Sequence, residues 1–119
     1  MDGRRTLPRQ QRLQRNYEFR RVYEQGRKVQ GRLAVLYVRE TDARQPAAGF
    51  VTSSRVGNAV ERNRARRLMR ETWRLNKHRL KPNLEMVMVA RTAMRGRSLR
   101  DVQEQLLAMF REAGILTEP

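Results

Sequence analysis

Apolar positions in this chain recur with two periods. Tyr17, Phe19, Val22 and Tyr23 follow Asn16 at helical spacing, and Gly26 stands where such a helix would stop. The spacing predicts a short helix capped by Asn16. Leu33 to Val38 is an apolar run containing Val and Tyr and predicts a buried strand. Thr41 to Ala48, with Pro46 and polar residues, predicts a loop or hairpin turn, and Gly49 to Ser53 a second strand. Leu84 to Ala90 alternates weakly and predicts a central strand; Thr92 to Arg97 reads as a loop. Ser98 then caps a last helix, with Leu99, Val102, Leu106, Met109, Phe110 and Ala113 on one stripe and Gly114 at its end. The sequence of elements predicts an α+β fold, a sheet with helices packed against it.

The stretch between Ser53 and Trp73 changes the picture from fold to chemistry. Gly57-Asn58 reads as a turn with Asn58 as the N-cap of a helix that frays near His78 to Pro82. At about 100° per residue, Ala65, Leu68, Met69, Thr72 and Trp73 fall on one side of it. Asn63, Arg64, Arg66, Arg67, Arg70 and Arg74 fall on the other. Arg62, Arg64, Arg66, Arg67 and Arg70 place five guanidinium groups in nine positions, with only Glu61 and Glu71 nearby. Like charges three or four residues apart repel, and guanidinium groups match phosphate oxygens two at a time. The face therefore points to a polyphosphate partner.

Composition agrees. The 119 residues suffice for one domain with a modest core, and 27 basic against 12 acidic residues give a net charge of +15. Such a balance implies nucleic acid or an anionic surface. The absence of cysteine excludes disulfides, thiolate metal sites and cysteine nucleophiles, and fits a cytoplasmic location. No apolar stretch reaches the length of a signal-peptide core or membrane span. Residues 1–12 read as a flexible basic arm and 115–119 as a short tail of this single domain.

The string Gly57-Asn58-Ala59-Val60-Glu61-Arg62-Asn63-Arg64-Ala65-Arg66-Arg67-Leu68-Met69-Arg70 closely resembles the signature of the bacterial ribonuclease P protein subunit. A second match is Phe19-Arg20-Arg21-Val22-Tyr23 with Gly26, and then Val35-Leu36-Tyr37. The resemblance covers about Leu13 to Ala113. It implies a two-layer α+β sandwich in the order α-β-β-β-α-β-α, with a left-handed βαβ crossover and likeness to a ribosomal-protein domain. It also implies an auxiliary subunit that binds a catalytic RNA and the single-stranded 5′ leader of precursor tRNA. Mg²⁺ would be held mainly by the RNA, and neither a membrane nor a protein partner is required. By the same resemblance Arg55, Arg62, Asn63, Arg64, Arg66, Arg67 and Arg70 contact RNA, while Phe19, Tyr23, Val35 and Tyr37 line the leader cleft. Val22 is then buried, and Arg20 and Arg21 point toward the RNA backbone or solvent. From the residues alone, Phe19 and Tyr23 fit a core as well as a cleft, and Asn63 fits either RNA contact or a brace for the loop before its helix.

Hydrolysis by the protein itself would need a general base or a metal-carboxylate cluster. The single histidine, His78, lies in a basic segment and reads as a surface residue at a helix end. Glu40, Asp42, Glu61, Glu71 and Asp101 lack the spacing of a metal-binding pair, so no catalytic or metal-ligating residue is expected. Two other readings stay open: a noncatalytic RNA-binding module of the ribosome or its assembly, and a DNA binder using the arginine helix in a groove. A strand, not a companion helix, is expected before Gly57, which weighs against the second.

Overall fold

The computed structural model describes residues 11–42 and 46–117. Its elements are α1 (Asn16–Gln25), β1 (Arg27–Gln30), β2 (Ala34–Glu40), β3 (Ala47–Val51), α2 (Ala59–Asn76), β4 (Leu84–Ala90) and α3 (Leu99–Glu112). The order is the α-β-β-β-α-β-α of the sequence reading. The four strands lie in the order β1-β2-β4-β3, antiparallel except for β3 beside β4. Helix α2 supplies the crossover between that parallel pair.

Periodicity in β2 divides the molecule. Ala34, Leu36 and Val38 are buried against the main core, which α2 and α3 close with Met69, Trp73, Val102, Leu106 and Phe110. Met86 and Met88 extend that core along β4. On the opposite face, Val22 of α1 packs with Leu13, Ala47 and Val87 in a second, smaller cluster. Among the described residues, the sheet is thus buried on one face by two helices and covered only in part on the other, by α1.

Several boundaries differ from the sequence reading. Strand β1 escapes the apolar pattern because Val29 is its one buried residue; it is held by backbone pairing to β2, from Arg27 opposite Val38 to Gln30 opposite Val35. Strand β3 starts at Ala47, inside the expected loop, and ends at Val51. Its small residues carry little signal. The N-cap of α1 is Arg15 rather than Asn16, and Glu18 Oε1 accepts from the backbone N–H groups of both Gln14 and Arg15 at 2.8 Å. Helix α2 passes into a single turn at Lys77–Arg79, where His78 is exposed. The expected loop after β4 contains a turn at Thr92–Met94 that buries Met94.

The caps expected at Asn58 and Ser98 are both formed. Asn58 Oδ1 accepts from Glu61 N at 2.9 Å while Glu61 Oε1 accepts from Asn58 N, also at 2.9 Å. Ser98 and Asp101 make the same reciprocal pair. Asn58→Ala is expected to lower the unfolding free energy by about 1 kcal/mol, read as a lower denaturation midpoint at unchanged slope.

At the ends, residues 1–10 of the expected arm lie outside the described residues. Its last two are tied to the body: Arg12 bridges Ala48, and Gln11 Oε1 accepts from Lys77 Nζ. Of the expected tail, Ile115 and Leu116 are buried, and Leu116 bridges Leu80.

Candidate nucleic-acid interface

The partly covered face of the sheet is built in cross-strand rows. One row runs Lys28, Tyr37, Val87, Gly49 and the next Gln30, Val35, Val89, Val51. Helix α1 lies over the first. Phe19 sits on Gly49 so closely that a Cβ there would come within 2.4 Å of the ring, which is why this strand position is a glycine. Val22 is fully buried beside Val87, and Tyr23 meets Tyr37 edge to face at 4.9 Å. Lys28 Nζ stands 5.8 Å from the Tyr37 ring. In the second row Val35, Val51 and Val89 remain partly exposed, whereas Val87 is not. That partly exposed apolar row, beside the Phe19, Tyr23 and Tyr37 rings, is the candidate groove. Burial and then the neighbouring Tyr37 push the Tyr23 phenol above its ordinary value, so it stays neutral at physiological pH.

Behind α1 a third row, Arg39, Glu85 and Ala47, holds the helix in place. Glu85 is 6% exposed and accepts from Arg21 Nη2 at 2.7 Å and Arg39 Nη1 at 3.0 Å. Arg39 Nε also donates to Gln25 Oε1 at 2.8 Å. The expectation that Arg21 turns to RNA or solvent is corrected here: a buried carboxylate requires charged partners, and Arg21 is one of them. Arg20 is exposed, and so is Tyr17, with the Arg21 guanidinium 5.8 Å from its ring.

Helix α2 follows the end of the sheet that carries the Val35–Val89–Val51 row. Val51 ends β3, and the turn Ser54–Val56 leads through Gly57 into the helix. That turn is tied to the one after β4 by Thr92 Oγ1 donating to the Arg55 carbonyl at 3.4 Å. Asn63, Arg67 and Arg70 are exposed on one stripe of α2, Arg66 is half-buried beside it, and Arg55 is exposed on the turn. Arg62 instead turns inward and donates to the Gly57 carbonyl at 2.7 Å. Arg64 leaves on the other flank and donates to the Arg97 carbonyl at 2.8 Å. Arg62 and the Asn58–Glu61 cap therefore brace the loop for which Asn63 was a candidate.

The sequence model of the family described as Ribonuclease P matches residues 7–114 of the chain. The chain belongs to the ribonuclease P protein family. It is 38% identical over 109 residues to the ribonuclease P protein component of an Exiguobacterium species, covering 92% of this chain and 95% of that one. The component from Clostridium acetobutylicum is 37% identical over 107 residues, covering 88% and 90%. Among solved structures, the RNase P protein of Staphylococcus aureus superposes with a TM-score of 0.82 at 25% identity, over 90% of this chain and 98% of that one. Membership in the family makes the chain a protein component of ribonuclease P and implies an RNA partner. Among the described residues, no helix is long and apolar enough to cross a membrane.

The structure brings Phe19, Tyr23, Val35 and Tyr37 to one face; the arginine helix starts beyond the end of β3 and packs on the opposite face. The site includes residues that the sequence reading did not single out: Val51 and Val89 in the groove, Gly49 beneath the Phe19 ring, and Glu85 with Arg39 behind it. Gly49 gave little signal, because the sequence reading begins its strand there, and only the structure puts it inside β3. Glu85 had none, because its partners lie 64 and 46 positions away.

Proposed function

We propose that this chain binds the catalytic RNA of ribonuclease P together with the unpaired 5′ leader of precursor tRNA, aiding removal of the leader. The observation that carries this reading is the open Val35–Val89–Val51 row, edged by Phe19, Tyr23 and Tyr37, at the sheet end from which the arginine helix departs. Aromatic faces accept unpaired bases of any sequence, at about 1–3 kcal/mol per base. The neutral phenol of Tyr23 suits that role. Exposed Arg55, Arg67 and Arg70, with Asn63 and Arg66 beside them, offer donors to phosphates of the catalytic RNA and of the junction with the leader. Arg62 and Arg64 hold the helix entrance and the neighbouring turn in the shape that presents them.

Among the described residues no three acidic, histidine or cysteine side chains converge on a cation site. In this reading Mg²⁺ is held mainly by the RNA, where a hydrated ion would supply the nucleophile. The protein contributes binding: it favours precursor over mature tRNA and screens phosphate repulsion, so that less Mg²⁺ is needed.

The test is cleavage of precursor tRNA by a bacterial ribonuclease P RNA at low Mg²⁺, with and without the protein, beside the protein alone. Cleavage at the mature 5′ end only with both present is expected. If the protein adds nothing yet binds RNA tightly, a ribosomal type of binding module is the better account. Binding should also weaken with salt by a log–log slope of about −0.7 for each single-strand phosphate neutralised.

A further inference from the structure

We propose that the recess between α2 and the turn after β4 is a pocket for an unpaired guanine base of the RNA partner. This inference deepens the RNA-binding reading and rests on it. The cavity measures about 380 Å³ and is lined by Glu61, Arg64 and Ala65 of α2 and by Met94, Arg95 and Gly96 of the turn. Its floor is apolar: Ala65 is buried and Met94 is 1% exposed. A methyl group and a thioether together suit the flat face of a base. Its walls are charged. Arg64 is fixed by its bond to the Arg97 carbonyl at 2.8 Å, and a held guanidinium plane is a stacking partner for bases in RNA recognition.

The acidic wall gives the pocket its selectivity. An ionised carboxylate only accepts hydrogen bonds. Of the four bases, guanine alone presents two adjacent N–H donors, N1 and N2, on its Watson–Crick edge. The single N–H of uracil lies between two carbonyls, and adenine and cytosine each set one amino group beside a ring acceptor. Glu61 is held in place by the cap, Oε1 accepting from Asn58 N at 2.9 Å. Its Oε2 meets Arg95 Nε at 3.6 Å, beyond ordinary hydrogen-bond range, and the Arg95 side chain is 54% exposed. So loose and exposed a pair yields at little cost. The pocket lies on the side of the sheet covered by α2 and α3, while the groove is on the face covered in part by α1. A base seated here is therefore a different one from any stacked on Phe19 or Tyr23.

The experiment measures binding of the full chain to short oligouridines carrying one central G, A or C, and to plain oligouridine, by fluorescence anisotropy. A central G should tighten binding about tenfold, the scale of one good bidentate base contact, and A and C should not. Glu61→Gln keeps an acceptor for Asn58 N but sets an amide donor against the guanine edge, so the preference should vanish. Ala65→Leu, which fills the floor, should remove it too; circular dichroism checks that α2 stays helical in both variants. Phe19→Ala should weaken all four oligonucleotides and leave the preference for G intact. No preference in the unaltered chain, a preference that survives Glu61→Gln, or one that disappears with Phe19→Ala would each overturn the proposal. If Phe19→Ala leaves oligouridine binding unchanged, it is the groove reading that fails, and the pocket is still decided by the Glu61 arm.

Discussion

Glu85→Gln is expected to destabilise the protein by about 3 kcal/mol, the low end for breaking a buried ion pair from one side, and to lower Tm by about 10 °C or more. The carboxylate is 6% exposed and is shared by Arg21 from α1 and Arg39 from β2. Removing its charge leaves two guanidinium groups facing each other with no anion between them. Part of the cost is relieved because both arginines keep some contact with water, which is why the low end applies. The contrasting variant replaces all three residues, Arg21→Met, Arg39→Met and Glu85→Leu, and should recover most of the lost stability, since apolar packing of similar volume leaves no uncompensated charge. Thermal denaturation decides it. A Glu85→Gln protein that melts within a degree or two of the unaltered one would show that this triad does not hold α1.

Phe19→Ala is expected to weaken precursor-tRNA binding by the holoenzyme by about fivefold to 150-fold, from the stacking energy of about 1–3 kcal/mol per base, with mature tRNA unaffected. The ring forms the edge of the groove over Gly49 and is itself only half-buried, so the fold survives its loss. Gly49→Ala should give the same phenotype with the ring intact, because the added methyl occupies the position of the ring edge, 2.4 Å away. Dissociation constants for precursor and mature tRNA, measured at one salt concentration, check both variants. Equal weakening of the two RNAs would remove Phe19 from any leader site and make it a plain packing residue.

How much was readable in advance depended on the range of each interaction. The caps at Asn58 and Ser98 were legible because a capping box spans four residues of chain. The burial of Trp73 and Met69 followed from the helical period, and the strands β2 and β4 from apolar runs. Strand β1 was invisible to the pattern, since Arg27, Lys28 and Gln30 are polar and the strand exists through its pairing with β2. The arginine helix was recognisable, but not its division: Arg64 is exposed as periodicity predicts, yet neither its bond to the Arg97 carbonyl nor the return of Arg62 onto Gly57 was legible. The ion triad joins three elements distant in the chain, and only the assembled sheet brings Glu85 beneath Arg21.

The position of Trp73 has a practical consequence for following this protein in solution. It is the only tryptophan, fully buried in the main core with Lys77 Nζ 5.3 Å from its ring centroid. Two of the three tyrosines, Tyr23 and Tyr37, stand at the groove. Indole emission will therefore report whether the core is assembled and be silent to occupancy of the groove, while the phenol signal responds to bases stacked there. Folding and ligand uptake can be read at separate wavelengths in one sample, without a label on either partner.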